Sequence, residues 1–338
     1  MANIKDVAER AGVSVSTVSR ALAGKPYVSS KVRKKVLQAA EELGYRPFPS
    51  AQRLRSQSPS QLIGLLISGV LNSHFNAIIH GVSDLAYTHR LRLLFGNAVG
   101  DVEREQYYID LMRSERAVGL IVNPQDRGRD GRYLHELRQS GVAVVLLDST
   151  VNDYAFDCVM VNNREGAYRA VRHLIEQGHT RIGTIVGKRT VTTALERLQG
   201  YIDALREASI SLDERYMPNG EYEQEGAYQA MQALLRLKDR PTAVFVPNEP
   251  MTIGAMTAIR EHGLRIPDDV ALVSFDETPW SAQVNPPLTT VAQPTYAMGR
   301  EAVRLLLRRI NEPNAPPITV TLPTELIIRE SSHKPNRS

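Results

Sequence analysis

The guanidinium of Arg20 is the group in this chain best suited to recognition chemistry. Its planar fork can give two parallel hydrogen bonds to the O6 and N7 of one guanine. Val15 and Ser16 stand just upstream and are candidates for neighbouring base edges. Ser14, Thr17, Ser19, Tyr27 and Lys31 suit phosphate contacts, which position a protein on a duplex without specifying sequence. Lys5 is a further candidate DNA contact. Catalytic chemistry has no comparable support. The single cysteine, Cys158, excludes an internal disulfide framework and a thiolate-only zinc cluster. No HExxH or CxxC metal motif, no GxGxxG and no GxxxxGK[ST] occurs. His74, Glu249 and Asp276 have no spacing that suggests a triad or a carboxylate pair. The expectation is a binding protein, not an enzyme, with no cofactor and no metal.

The elements that must hold the recognition residues are helices. Ile4, Val7, Ala8 and Ala11 recur at helical spacing, Gly12 ends that helix, Val13 gives an anchor, and Ser14 is a natural N-cap for VSTVSRAL. Two short helices joined by a tight Gly-containing turn form a helix-turn-helix, whose second helix enters the major groove. A third helix is predicted from Ser29 or Ser30 to Leu43, with Val32, Val36, Ala39, Ala40 and Leu43 inward and Gly44 stopping it. Lys31, Arg33, Lys34 and Lys35 crowd its start, where the helix dipole favours acids. Residues 1–60 hold eleven Lys/Arg against four Asp/Glu, while the rest holds 30 against 33. A basic head on a slightly acidic body points to a polyanion partner for the head alone. The rival is a three-helix bundle used for protein contact, but the second helix is short and polar for packing.

The run IKDVAERAGVSVSTVSRALAGKPYVSSKVRKKVLQAAEELGYRP closely resembles the head of the LacI/GalR family of bacterial repressors. The resemblance implies that Val15, Ser16 and Arg20 read bases. Ala23 departs from it, standing where many members have Asn. Pro47, Pro49 and Pro59 punctuate residues 46–60, with helix-compatible SAQRLRS between them. Composition alone reads this as a linker. The resemblance implies a hinge helix that forms on DNA and drives Leu54 into a minor-groove step, with Ala51 and Gln52 beside it.

From Gln61 onward, short apolar runs alternate with amphipathic segments. Strands are predicted at 62–68, 91–96, 118–122, 142–147, 181–186, 242–246 and 270–275, and helices near 74–89, 101–115, 163–177, 194–208, 223–238, 249–263 and 294–311. This alternation implies parallel sheets. HLIEQGHTRIGTIVG, VPNEPMTIGAMTAI and IPDDVALVSFDETPW resemble landmarks of the same family. The fold expected is α/β: a helix-turn-helix head (1–46), a hinge (47–60) and a two-lobed body similar to periplasmic sugar-binding proteins (61–338). The lobes would be 61–161 with 293–322, and 162–292 with 323–330.

Ligands of open α/β sheets sit beyond the carboxyl ends of strands. Ser68, Asn72, His74, Phe75, Thr193, Arg197, Asn248 and Asp276 fall there, and the resemblance adds Tyr222 and Gln293. The set suits a hydroxyl-rich effector. Lys188, Arg189, His74 and Arg197 together suggest a basic cleft, hence a sugar acid or sugar phosphate as well as a plain sugar. The expected partners are double-stranded operator DNA, this small-molecule effector and a second copy of the chain, with no membrane. An N-terminus without an apolar signal suggests the cytoplasm. The rival functions are a transport-type sugar-binding module and a sugar-modifying enzyme with an accessory DNA head. The tail SSHKPNRS is expected to be disordered.

Overall fold

The computed structural model describes residues 2–22, 27–45, 61–70, 72–124 and 130–333. The chain divides into two compact units, Met1–Ser60 and Gln61–Ser338. Ala23, Ala51, Gln52 and Leu54, with the whole 47–60 segment, lie outside the described residues.

The first unit holds α1 (Ile4–Ala11), α2 (Val15–Leu22) and α3 (Ser30–Glu42). Asn3 starts α1 through a capping box: its side chain accepts from Lys5 N at 2.8 Å while the Asp6 carboxylate accepts from Asn3 N at 2.7 Å. Gly12, at φ +67°, supplies the left-handed turn that stops α1. Ser14 Oγ then accepts from Thr17 N at 3.2 Å and starts α2. Val7, Ala8, Ala11, Val18, Ala21, Val36, Ala39 and Ala40 form the core between the three helices. Small residues dominate it, so the helices approach closely. Leu43, expected inward, is instead the C-cap of α3 and is 36% exposed, because the helix has already ended.

The second unit contains two sheets. Its first run is β1 (Leu62–Ile67), α4 (Ser73–Thr88), β2 (Arg92–Asn97), α5 (Val102–Ser114), β3 (Gly119–Val122), α6 (Arg132–Gln139), β4 (Ala143–Leu147) and β5 (Asp157–Val161). Its second is α7 (Asn163–Glu176), β6 (Ile182–Thr184), α8 (Thr192–Glu207), α9 (Gln224–Arg236), β7 (Ala243–Val246), α10 (Glu249–Glu261), β8 (Ala271–Phe275) and β9 (Thr289–Ala292). The chain then returns through α11 (Thr295–Asn311) and β10 (Thr319–Leu322) to the first sheet, and ends with β11 (Glu325–Ile327) on the second. It therefore passes between the sheets three times, near 162, 293 and 323. The first sheet has the order β10-β5-β4-β3-β1-β2, all parallel. The second runs β11-β9-β8-β7-β6 and is parallel except for β11 against β9. β1, β3, β4, β7 and β8 are buried along their whole length, as sheets covered by helices on both faces require.

Several elements escaped the sequence reading. β5 opens on a carboxylate, Asp157, which looks like loop chemistry. It is buried because Arg309 Nε lies 2.6 Å away and Ile318 N donates to it at 2.8 Å. α6 buries only Leu134 and Leu137, too few for a clear period. β10 and β11 are half-exposed edges. β6 is shorter than the predicted 181–186 because Val186 leaves the sheet to bridge Asn219. The disordered tail is corrected for its first residues: Ser331 and Ser332 are fully buried. Ser331 Oγ donates to Leu272 O at 2.7 Å, and Ser332 Oγ lies 2.8 Å from His173 Nε2. Residues 334–338 lie outside the described residues. No helix among the described residues is long and apolar enough to cross a membrane.

Candidate functional site

The head presents its candidate DNA residues outward. Ser16 and Arg20 are exposed, as are Lys5 and Lys31; Val15 is 37% exposed and Tyr27 is 91% exposed. Thr17 and Ser19 are half-buried. Ser14 Oγ lies 2.9 Å from Ser16 Oγ and 2.8 Å from Thr17 Oγ1, a hydroxyl cluster at the N-terminus of α2. Among the described residues no acid lies in the first turn of α2 or of α3, so both helix starts keep their positive end toward an incoming anion. Arg10 and Glu42 pair at 2.7 Å and tie α1 to α3; both are exposed, so the pair adds little stability. That Arg10 contact also holds the Glu42 carboxyl below its ordinary range.

In the second unit all ten candidate effector residues line one cleft of about 520 Å³. Ser68, Asn72, His74 and Phe75 follow β1. Asn72 caps α4, its Oδ1 accepting from His74 N at 3.0 Å, and so fixes the two rings that follow. The His74 and Phe75 rings meet edge to face at 5.0 Å. From the second sheet, Arg197 on α8 is 4% exposed. Its Nε donates to Asn163 Oδ1 at 2.9 Å, its Nη1 to Pro247 O at 2.5 Å, and its guanidinium lies 3.8 Å from the Phe275 ring centroid. Thr193 Oγ1 and the Tyr222 hydroxyl are 3.1 Å apart. Burial pushes the Tyr222 phenol up to about 12, so it stays a neutral hydroxyl. Asn248 caps α10, accepting from Met251 N at 3.0 Å. Asp276, at φ +82°, accepts from Glu249 N at 3.2 Å and from Gln293 Nε2 at 2.6 Å.

Among the lining residues that the sequence reading missed are Asn123 and Asp148. They directly follow β3 and β4, so the rule that found Asp276 after β8 would have found them. Asp148 completes a row: His74 Nε2 lies 3.8 Å from Asp148 Oδ1, and His74 Nδ1 lies 3.9 Å from Asp276 Oδ1. Both His74 nitrogens, Asp148 Oδ1 and Gln293 Oε1 are buried without a hydrogen-bond partner among the described residues. Buried polar atoms left unpaired in one place call for a ligand or water to satisfy them. A larger hollow of about 800 Å³ beside α10, lined by Ile253, Met256, Trp280 and others, holds no such atom.

The basic-cleft expectation is corrected. Carboxylates of Asp148, Glu221, Glu223 and Asp276 line the site, against the cations Lys188 and Arg197. Arg197 gives its Nε and Nη1 to protein acceptors, and Arg189 is exposed and not part of the lining. An anionic effector would face more like charge than opposite charge.

Residues 3–47 match the bacterial regulatory proteins of the lacI family, and residues 171–332 match a periplasmic binding protein-like domain. The chain is 33% identical over 335 residues to an HTH-type transcriptional repressor PurR of Aliivibrio salmonicida (strain LFI1238), covering 99% of this chain and all of that one. Among solved structures, a lac repressor dimer bound to operator and the anti-inducer ONPF superposes with TM-score 0.81 at 29% identity, covering 98% of this chain and 99% of that one. A CelR-cellobiose complex of a transcriptional regulator does so with TM-score 0.75 at 30% identity, covering 98% and 100%. With an exposed helix-turn-helix face in its first unit and a polar cleft between two sheets in its second, the chain belongs to the LacI family of bacterial regulatory proteins, DNA-binding transcriptional repressors with an effector-binding domain and not enzymes.

Proposed function

We propose that this repressor grips a pseudopalindromic operator as a cytoplasmic homodimer, and that an uncharged, hydroxyl-rich metabolite in the cleft sets how firmly it does so. Residues 1–46 read the duplex, 47–60 act as hinge and 61–338 sense the effector. Arg20 takes a guanine edge, Val15 and Ser16 touch neighbouring bases, and Lys5, Ser14, Thr17, Ser19, Tyr27 and Lys31 take phosphates. Ala51, Gln52 and Leu54 serve the minor groove. The lac repressor relative, captured as a dimer on its operator, supports the assembly. The cellobiose complex of another relative supports a sugar as ligand.

The effector class rests on one observation: the unpaired buried atoms of the cleft, two imidazole nitrogens, one carboxylate oxygen and one amide oxygen, are donors and acceptors mixed, in a lining that carries four carboxylates. A hydroxyl both donates and accepts, so it matches such a lining; a carboxylate or phosphate only accepts and is repelled by Asp148 and Asp276. A thermal-shift screen of the full chain against sugars, sugar acids, sugar phosphates and nucleosides tests this. Hits confined to neutral sugars, followed by a gel shift that changes with the hit, are the expected result. Stabilisation by acids or phosphates alone would refute the effector class.

A further inference from the structure

We propose that the end of the first sheet at which the chain arrives from residue 60 is a second DNA-binding surface, on which Arg90 and Arg116 take phosphates of the bound duplex. This goes beyond the function proposed above, which gives every DNA contact to residues 1–60, and it rests only on the DNA binding of the family.

Strand order places the patch. β1, the first strand of the second unit, lies between β2 and β3. Arg92 N donates to Gln61 O at 2.7 Å, and Val118 N donates to Leu62 O at 2.8 Å. The connections that precede β2 and β3 therefore flank the point where the chain enters the sheet. Neighbouring strands stand about 4.8 Å apart, so these connections are roughly 10 Å from each other. Residues 88–92 and 113–118 carry Arg90, Arg92, Arg113 and Arg116 against one acid, Glu115. All five are exposed. None of the four arginines has a side-chain hydrogen bond or ion pair among the described residues. The chain from residue 61 onward holds 30 Lys/Arg against 33 Asp/Glu, so the patch is a local reversal of the body's charge.

Backbone conformation gives a second, independent reason. Arg90 and Arg116 follow the C-caps of α4 and α5, and each has φ +56°. Their N–H groups close the turns on Tyr87 O at 2.9 Å and on Arg113 O at 3.0 Å. This left-handed turn crowds any Cβ, and glycine takes it after α6 and α7, at Gly141 and Gly178. Arginine at both corners works against local stability, and backbone strain of this kind collects at functional sites. A cation near a helix C-terminus does complement the dipole. It can do so without the strain, as Arg113 does in the last turn of α5. The guanidinium fork matches phosphate oxygens, and these forks have no acceptor of their own among the described residues. A duplex gripped by residues 1–46 is tethered to this end of the sheet through residues 47–60, so it is the polyanion at hand.

Salt titration of the full chain separates a DNA surface from a helix-end role. Binding is followed by fluorescence anisotropy between about 50 and 200 mM salt. Two short labelled duplexes serve as probes, one of random sequence and one enriched from a random pool by the wild-type chain. In Arg90→Asn/Arg116→Asn, the slope of log affinity against log salt is expected to shrink by about two on one or both duplexes, near one for each lost phosphate contact. Asparagine tolerates the left-handed turn, so the thermal midpoint of this variant stays at or above that of the wild type. Arg90→Lys/Arg116→Lys keeps the charge and keeps most of the slope. A structural role alone would move the thermal midpoint and leave the slope unchanged. An unchanged slope on both duplexes in the folded asparagine variant overturns the assignment, and so does an equal loss of slope in the lysine variant. Failure of the wild type to enrich any duplex would instead refute the operator reading, while the random duplex would still report on the patch.

Discussion

At the scale of single residues, the same polar groups fare differently according to what surrounds them. Arg20 and Arg197 are both guanidinium forks. Arg20 is exposed on α2 and free to turn toward a base, whereas Arg197 is locked by Asn163, Pro247 and the Phe275 face. Arg20→Ala is therefore expected to cost ~1–3 kcal/mol of operator binding and to relax base choice at one position; uniform weakening on every duplex in a selection experiment would contradict base reading. Asp276→Ala should remove the effector response in gel shifts and leave operator affinity unchanged. His173 supplies a pH dependence. Burial lowers the affinity of its imidazole for protons below the ordinary value of 6.5, while nearby Glu176 partly opposes this. The unfolded chain then takes up the proton first, so the contribution is intact above pH about 6.5 and declines as the pH falls below it. Thermal unfolding should show a falling midpoint from pH 7 to 5, with a shallower fall in His173→Gln.

At the scale of elements, helix pairing and one carboxylate organise the body. An added Cβ at Gly81 on α4 would stand 2.2 Å from the Tyr296 carbonyl oxygen of α11, and one at Gly299 on α11 would stand 2.2 Å from that of Ile78 on α4. The two helices thus touch backbone to backbone, and Gly299→Val is expected to lower stability by at least ~1–3 kcal/mol in urea unfolding. Glu249, at the first turn of α10, reaches the other lobe: it accepts from Ser73 N at 2.8 Å and from the Ser73 hydroxyl, and also from Trp280 Nε1 at 2.8 Å. A carboxylate from one lobe so caps the first turn of α4 in the other. Trp280 is the only tryptophan of the chain, so its fluorescence reports this contact. Glu249→Ala should redden the emission and destabilise by about 2 kcal/mol, because three donors lose their acceptor. An unshifted spectrum would show that the lobes are not joined here.

At the scale of the whole molecule, a basic head and an acid-lined cleft divide the work. The head's phosphate contacts make operator affinity fall steeply with salt. The effector acts as a coupling free energy, typically ~1–3 kcal/mol and reciprocal. Fluorescence anisotropy on an operator fragment, with and without a ligand identified by the thermal-shift screen, should show a shift of that size. Effector affinity measured with and without operator should change by the same factor.

Much of the head and of the body's alternation was legible in the chain, because helix caps, 3.6-residue periodicity and buried parallel strands are local signals. Gly12, Ser14 and the apolar run 62–67 each declare themselves without a partner. Eight of the ten cleft positions were legible too, since a strand's carboxyl end marks them, while Tyr222 and Gln293 came only with the family resemblance. What folding alone decided was which polar groups meet. Asp157 reads as loop until Arg309, far along the chain, neutralises it, and Ser331 and Ser332 read as tail until Thr289 and His173 bury them. The cleft's charge reversed for the same reason: residue types list the cations, but only three-dimensional contacts reveal that Arg197 is spent on the protein and that Asp148 stands opposite His74.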